Sequence, residues 1–393
     1  MHLGYCTNIH QGQNLKQIIE NLRVISSQVK ERVSPDLPFG IGLWLPDEAA
    51  SQLQSPQELE HFKQELKNNS LYVFTLNGFP FGVFHNEVVK KKVYLPDWRH
   101  LERLTYTKNL ALVLNGLLED GIKGSISTLP LGFKENFTSE KDQAIAARNL
   151  LEIACFLIDL TLSTGTTVTL ALEPEPGCVL ETIEEVVVFF KKYVFTQENK
   201  YIIAQKFDVP VDRAAVLLAG HIGVCLDLCH CAIGFENAQD TLRTLTDAGI
   251  GIFKIQISSG LTLQNPDHDD LLKLHELDSN TYLHQVVIKK NAGLTRYNDL
   301  TDAISAEGKH LSENCEWRIH FHVPITIKDE AQPFQTTQNF ICDMLNLLKN
   351  ELFCDHLEVE TYTWSVLPSH LRQKSIVDDI SSEINWVKEY FDT

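Results

Sequence analysis

Apolar residues along the chain follow two alternating patterns, one typical of buried strands and the other of amphipathic helices. Nine short runs are nearly continuous in β-branched and apolar residues, as strands covered on both faces of a parallel sheet are. These runs are residues 3–8, 40–45, 71–77, 124–129, 167–173, 222–228, 251–257, 318–323 and 357–363. Between most of them, apolar residues recur at helical spacing, as they do from Leu15 to Val29. Strands that alternate with helices predict a parallel sheet with right-handed crossovers.

Helix starts are marked by capping patterns in two places. Ser55 is followed by Pro56 and Glu58, and Thr182 is followed by Glu185, which is the spacing of a capping box. Further helices are expected near residues 100–118, 139–163, 236–248, 335–350 and 376–391. The α/β order therefore favours alternating units over separate all-α and all-β domains.

The fold class that this order predicts is α/β, a single TIM (β/α)8 barrel domain over residues 1–393. Run 318–323 is the weakest barrel candidate, because the preceding segment 258–317 has no clear crossover pattern. We expect it beside the barrel mouth, with 357–363 as the eighth strand. A doubly wound open sheet is the alternative, but no Gly-x-Gly-x-x-Gly turn follows a strand. Segments 78–100 and 258–317 are long, as loops of the active-site face are.

The amino-acid composition narrows the classes of molecule that the protein is expected to bind. The formal charge is −18, from 34 basic and 52 acidic residues, and such a surface repels nucleic acid and anionic lipid. The N-terminus lacks the features of a signal peptide, and the most apolar stretch, Leu150 to Leu162, is too short to cross a bilayer. Nine cysteines at irregular spacing fit reduced thiols. We therefore expect a cytoplasmic protein that is not integral to the membrane and binds no nucleic acid.

Polar side chains collect where the predicted strands end, which is where TIM barrels carry their function. Glu358 and Glu360 share one strand face, and so do His320 and His322, because alternate residues of a strand point the same way. Carboxylate and imidazole groups together suit divalent ions, and burying such groups without an ion would be costly. The predicted ligands of a divalent ion (Zn, Mn or Mg) are Glu173, Glu175, Asp227, His230, His322 and Glu360.

Each of these residues, taken alone, also fits an ordinary structural role. A glutamate before proline is usually a solvated loop residue, and Asp-x-x-His is often a helix N-cap with a surface histidine nearby. Two histidines at alternate positions could be a polar strand face. Their joint placement at strand ends favours a shared site. Cys225, Cys229 and Cys231 do not have the spacing of a standard zinc knuckle, and Cys225 is expected to pack in the core.

Several motifs resemble those of the xylose isomerase-like superfamily, which includes sugar epimerases and endonuclease IV. They are GVCLDLCH (223–230), LALEPEPG (170–177) and LEVET (357–361). The resemblance implies a metal site to which Glu360 contributes. RIHFHV (318–323) resembles the D-x-H element of endonuclease IV, with His320 in place of the aspartate. Where those nucleases carry histidines, this chain has Asn77, Ser127 and Gln256, so a three-zinc cluster is not expected.

A closer resemblance is to the EboE family of bacterial metabolite traffic proteins. Its motifs run nearly end to end and include MHLGYCTNIHQG, YVFTLNGFPFGVFH, GSISTLPLGFK and VETYTWSVLP. The resemblance implies a barrel of this superfamily that works with partners moving a metabolite out of the cytoplasm, including a membrane protein. It implies no settled reaction.

Two functions from different classes follow from these residues. The first is a metal-dependent isomerase or epimerase of a small polar metabolite, in which a carboxylate moves a proton beside a metal-held oxygen. Glu173 and Glu360 are the predicted catalytic residues. The predicted substrate contacts are Asn77, Lys254, Gln256, His320 and Trp364, with the alternative that Lys254 faces the helical layer. The second is a carrier that hands the metabolite to a membrane partner without chemistry. A nuclease is disfavoured by charge, and the residues specify no oligomeric state.

Overall fold

The computed structural model describes residues 1–82, 90–277, 282–291, 293–308, 311, 314–327, 334–364 and 375–392. Residues 83–89, which belong to the predicted mouth loop 78–100, lie outside the described residues. The strands are β1 His2–Tyr5, β2 Phe39–Trp44, β3 Leu71–Asn77, β4 Gly124–Thr128, β5 Val168–Leu172, β6 Ile222–Asp227, β7 Ile252–Ile257, β8 Ser259–Gln264, β9 Val286–Lys290, β10 Gly293–Tyr297, β11 Cys315–Val323, β12 Gln335–Thr336 and β13 His356–Val359.

The helices surround these strands and join most of them. They are α1 Leu15–Asn21, α2 Ser27–Val33, α3 Asp47–Gln52, α4 Pro56–Asn68, α5 Leu101–Leu117, α6 Glu140–Thr164, α7 Ile183–Phe189, α8 Gln197–Phe207, α9 Val211–Ala219, α10 Leu228–Ile233, α11 Ala238–Asp247, α12 His268–Leu277, α13 Leu300–Glu307, α14 Gln338–Asn350 and α15 Ile376–Asp392. A π-helical turn, Leu22–Ser26, joins α1 to α2. None of the described helices has the length and apolar character needed to cross a membrane.

Eight parallel strands form a nearly closed barrel, which confirms the predicted fold class. The strand order is β1-β13-β7-β6-β5-β4-β3-β2, and a parallel bridge between Cys6 and Gly42 brings the first and last strands together. Strands such as β5 and β6 are buried at every position, because helices cover one face and the barrel interior the other. The eighth strand is β13, His356–Val359, which overlaps the predicted run 357–363. The prediction of one domain over 1–393 stays a prediction.

Local capping signals were partly correct. Thr182 and Glu185 form the expected capping box at the start of α7. Helix α4 begins at Pro56 as predicted, but the Ser55 side chain makes no capping hydrogen bond, so the box predicted with Glu58 is not formed. Proline at the first helical turn suffices to mark that start, because its missing N–H would have no helical partner there.

A second sheet lies beside the barrel mouth and was not predicted. Its order is β10-β9-β11-β8-β12, and all of its pairings are antiparallel. Along β11, Trp317, Ile319 and Phe321 belong to a second hydrophobic cluster that also contains residues of α12 and α13. The alternate residues His320 and His322 therefore point away from that cluster, and they line a cavity at the barrel mouth. Run 318–323 is thus a strand outside the barrel, as expected.

Candidate metal centre

The cavity at the carboxyl ends of the barrel strands has a volume of about 70 Å³. Its polar side comes from Glu173, which follows β5, Glu360, which follows β13, and His320 and His322 of β11. The cavity is also lined by the aromatic side chains of Phe79, Tyr94, Tyr282 and Tyr362. Aromatic side chains beside buried carboxylates lower the local dielectric and strengthen every electrostatic interaction of the site.

Three carboxylates meet at the strand ends. One oxygen each of Glu173, Asp227 and Glu360 lies within 4.8 Å of the others, and all three side chains are buried. The three residues end β5, β6 and β13, and parallel strands of a barrel end at the same face. Since like charges repel strongly in a buried site, this cluster needs protons or a cation to exist.

Asp227 is oriented by its position between β6 and α10. It is the N-cap of α10, where its Oδ1 accepts a hydrogen bond from the His230 backbone N–H at 2.9 Å. The Ser258 hydroxyl donates to the same oxygen at 2.7 Å. The ordinary N-cap role that Asp-x-x-His suggested is therefore real, and it leaves Oδ2 available. Asp227, His230 and His322 form a second group of ligand atoms within 4.8 Å of one another.

Glu360 is held by amide groups on both of its oxygens. Asn8 and Asn77 donate to Oε1 at 2.6 Å and 3.1 Å, and Gln256 donates to Oε2 at 2.6 Å. The Asn77 amide is oriented in turn, because its Oδ1 accepts from the Phe79 backbone N–H. Asn77 and Gln256 were predicted to contact substrate. Their amides also hold the Glu360 carboxylate, and their contact with substrate stays a prediction.

Two histidines have a tautomer that their surroundings determine. His230 Nδ1 lies 3.1 Å from the Pro174 carbonyl oxygen, and His322 Nδ1 lies 2.8 Å from the Glu360 carbonyl oxygen. A carbonyl oxygen can only accept, so each Nδ1 carries the proton and each Nε2 presents a lone pair. This is the form in which a neutral imidazole binds a metal ion.

Several buried atoms in this cluster lack hydrogen-bond partners. Their chemistry and arrangement indicate whether a cation would fit among them. Among the residues that the structure describes, no hydrogen-bond partner is found for Glu173 Oε2, Asp227 Oδ2 or His322 Nε2. His322 Nε2 and Asp227 Oδ2 lie 3.9 Å apart. Buried acceptors facing one another without donors are costly, and a divalent ion would satisfy them together. The donor set of carboxylates and imidazoles fits Zn²⁺ or Mn²⁺.

The pKa shifts of the site residues agree with this requirement for a cation. Burial raises the pKa of Glu173 well above its ordinary value, and the neighbouring Glu360 and Asp227 carboxylates raise it further. Burial also raises the pKa of Glu360, with a further contribution from Asp227. The pKa of His230 is lowered to about 4, chiefly by burial. Without a cation, Glu173 and Glu360 therefore favour their protonated forms, and the His230 imidazole stays neutral.

Glu175 stands apart from the three carboxylates. Tyr94 donates to its Oε1 at 2.7 Å, and Gln285 donates to the same oxygen at 3.2 Å. Burial raises its pKa to about 7, although these hydrogen bonds lower it. Glu175, His230 and His320 form another group of ligand atoms within 4.8 Å of one another. The predicted ligands therefore lie together in overlapping groups, and their binding of an ion stays a prediction.

Two predicted substrate contacts lie elsewhere. Lys254 is fully buried inside the barrel, where its Nζ is 2.5 Å from Glu358 Oε2 and 3.2 Å from Ser127 Oγ. Trp364 packs in the second hydrophobic cluster with residues such as Phe321. Neither is among the described residues that line the cavity, and their contact with substrate stays a prediction. The lysine neutralises a buried carboxylate, and the indole fills a core beside the mouth.

Several site residues were missed from sequence. Asn8 lies in a short 3₁₀ helix, Thr7–Ile9, just after β1, and the rule that strand ends carry function could have found it. Tyr94 and Gln285 lie in long connections without a periodic pattern, so no sequence signal marked them. Tyr282 and Tyr362 were missed in the same way, although both line the cavity.

Comparisons with known proteins support the fold. A xylose isomerase domain protein from Planctomyces limnophilus has a TM-score of 0.50 at 11% identity, over 99% of this chain and 96% of that chain. A 3-keto-D-glucoside 4-epimerase from E. coli has a TM-score of 0.47 at 14% identity, over 99% of both chains. The IolI protein, described with a zinc atom, has a TM-score of 0.46 at 14% identity, over 100% and 98%. At 11% identity, the likeness to the Planctomyces limnophilus protein shows the fold alone. No family model matches the sequence, and no curated protein is similar to it.

Proposed function

We propose that this protein is a metal-dependent isomerase or epimerase of a small polar metabolite. The observation that carries the proposal is the convergence of buried carboxylates and neutral imidazoles whose acceptor atoms face one another without donors. Asp227 and Glu360 would hold the ion, with the Nε2 atoms of His322 and His230 beside them and the Glu173 carboxylate next to the ion. A divalent ion there would polarise a substrate carbonyl or hydroxyl oxygen.

Glu173 is the better candidate for proton transfer. Both oxygens of Glu360 already accept amide hydrogen bonds, from Asn8, Asn77 and Gln256. Among the described residues, Glu173 Oε2 has no such partner, and Glu173 lines the cavity. A carboxylate that takes up a proton needs an oxygen free to approach the substrate carbon. We therefore assign Glu360 to ion binding and Glu173 to moving the proton.

The cavity wall points to the shape of the metabolite. The aromatic rings of Tyr282 and Tyr362 pack edge to face, with centroids 5.2 Å apart, and both line the cavity. Such a wall suits the C–H face of a polyhydroxy compound, while its oxygens face the carboxylates and imidazoles. A metabolite with hydroxyl and carbonyl groups on one side fits both surfaces.

The EboE-like motifs support a second candidate, a carrier in metabolite traffic. In that function the same pocket binds the metabolite and delivers it to a membrane partner from the cytoplasm. The two functions differ in a property that can be measured, because only the enzyme exchanges protons between substrate carbon and solvent.

Solvent exchange tests the enzymatic proposal. The purified protein, loaded with Zn²⁺ or Mn²⁺, is incubated in heavy water with a panel of aldoses and hydroxy-ketones, and deuterium is followed by mass spectrometry. Glu173→Gln should abolish incorporation. The matched control is Glu181→Gln, a buried glutamate that pairs with Lys134 and Arg296 and does not line the cavity. No exchange across the panel, in protein that binds no metal, would reject the enzyme and favour the carrier.

A further inference from the structure

Gln285 is a buried amide that joins three separate parts of the chain at the cavity. It directly precedes β9 and is 1% exposed. Its Nε2 lies 3.0 Å from the Pro176 carbonyl oxygen and 2.9 Å from the Tyr94 hydroxyl. Its Oε1 lies 2.7 Å from His320 Nδ1. Every polar atom of this side chain therefore has a partner in the wall of the site.

The orientation of this amide follows from those partners. The Pro176 carbonyl oxygen can only accept, and the Glu175 carboxylate at 3.2 Å from Nε2 is also an acceptor. Rotating the amide by half a turn would place Oε1 against both acceptors. The NH₂ group must therefore face Pro176 and Glu175, and Oε1 must face His320.

This orientation decides where His320 carries its proton. Because Gln285 Oε1 can only accept, His320 Nδ1 donates and its Nε2 presents a lone pair. His320 Nε2 lies 3.1 Å from His230 Nε2, which also presents a lone pair because His230 Nδ1 donates to the Pro174 carbonyl. Two lone pairs at this distance cannot bond to each other. One divalent cation could bind both lone pairs at once.

We propose that Gln285 is a positioning residue that keeps His320 in the Nδ1-protonated tautomer, so that His320 Nε2 is available to a cation in the cavity. Without the Gln285 acceptor, the proton of His320 moves to Nε2 and donates to His230 Nε2. The two imidazoles then bond to each other, and both lone pairs become unavailable to an ion. Gln285, next to a strand of the second sheet, thus sets the tautomer of a histidine that lines the cavity at the barrel mouth. The tautomer of His320 does not depend on the proposed function. Only the consequence for a cation rests on that function.

Nitrogen chemical shifts of labelled histidines test the tautomer directly. The full-length protein, labelled with ¹⁵N-histidine and free of metal, is measured at about pH 7.5, above the ordinary imidazole pKa. His320→Gln identifies the signal by its loss. We expect Nδ1–H in the parent protein and Nε2–H in Gln285→Leu. The matched control is Asn149→Leu, which removes a buried amide bonded to the Trp98 carbonyl, away from the site. An unchanged His320 tautomer in Gln285→Leu would overturn the proposal.

Zinc affinity tests the consequence. In competition with a chromophoric chelator, Gln285→Leu should bind Zn²⁺ about 10- to 100-fold more weakly than the parent, as loss of an outer partner of a ligating histidine does. Asn149→Leu should leave the affinity unchanged. If the tautomer changes in Gln285→Leu and the parent protein binds no Zn²⁺, the positioning role stands and the proposed metal-dependent function fails. Equal affinities of Gln285→Leu and the parent would refute a role in ion binding.

Discussion

Replacing Lys254 by methionine tests whether this lysine supports the barrel interior or contacts substrate. Lys254 and Glu358 are both 0% exposed, and Nζ lies 2.5 Å from the carboxylate. Methionine keeps most of the side-chain length and removes the charge, so the Glu358 carboxylate stays buried without its partner. Breaking a buried ion pair in this way costs about 3–5 kcal/mol.

The expected change in melting temperature follows from the size of the chain. For 393 residues the entropy of unfolding is about 0.8 kcal/mol per kelvin, so this cost lowers Tm by about 4–6 °C. Thermal unfolding followed by circular dichroism measures the shift. The matched control is Lys192→Met, which removes an ion pair with Glu140 on the surface, where the two side chains are 48% and 81% exposed. This control should leave Tm nearly unchanged, because solvent screens such pairs.

A double variant separates charge burial from simple loss of packing. Lys254→Met with Glu358→Leu removes both charges, so it should recover much of the lost stability, since apolar replacement of a buried pair is often neutral. The reasoning is refuted if Lys254→Met melts with the parent protein. The reasoning is also refuted if the second substitution lowers Tm by about as much again as Lys254→Met does alone.

Three further predictions concern metal, pH and nucleic acid. Removing metal with a chelator should lower Tm. Adding Zn²⁺ at about 100 times its Kd should then raise the free energy of unfolding by about 2.7 kcal/mol. A Tm that does not change on addition of Zn²⁺ would exclude a bound ion. Burial raises the pKa of Glu383 from 4.5 to about 8, so the folded state keeps a proton that the unfolded chain releases, and stability falls as pH rises through this range. Glu383→Gln, whose oxygen can still accept from Ile325 N–H and Thr361 Oγ1, should flatten that fall in thermal melts at several pH values, and an unchanged slope would count against this assignment. With a formal charge of −18, duplex DNA should show no binding by gel shift at physiological salt, and tight binding or cleavage of abasic-site DNA would overturn this expectation.

The hydrophobic pattern determined the barrel because each barrel strand is defined by its own residues. Runs such as 71–77 and 222–228 are buried on both faces, and continuous burial leaves a signal that does not depend on distant partners. The eight-strand count also located Glu173, Asp227 and Glu360, since parallel strands in a barrel end at one face. For the same reason the sequence could place these three carboxylates together before their geometry was known.

Only the tertiary structure decided which groups surround those carboxylates. Apart from run 318–323, the second sheet was not predicted, because β10 is largely exposed and has no apolar period, and because β8 pairs with β11 and β12, which lie far from it in the chain. The roles of Lys254 and Gln285 were equally hidden, because each depends on an atom contributed by another element, Glu358 in one case and His320 in the other. A residue's place on a strand face is a local property that the sequence carries. The partner that fixes its charge or its tautomer is set by the packing of segments far apart in the chain.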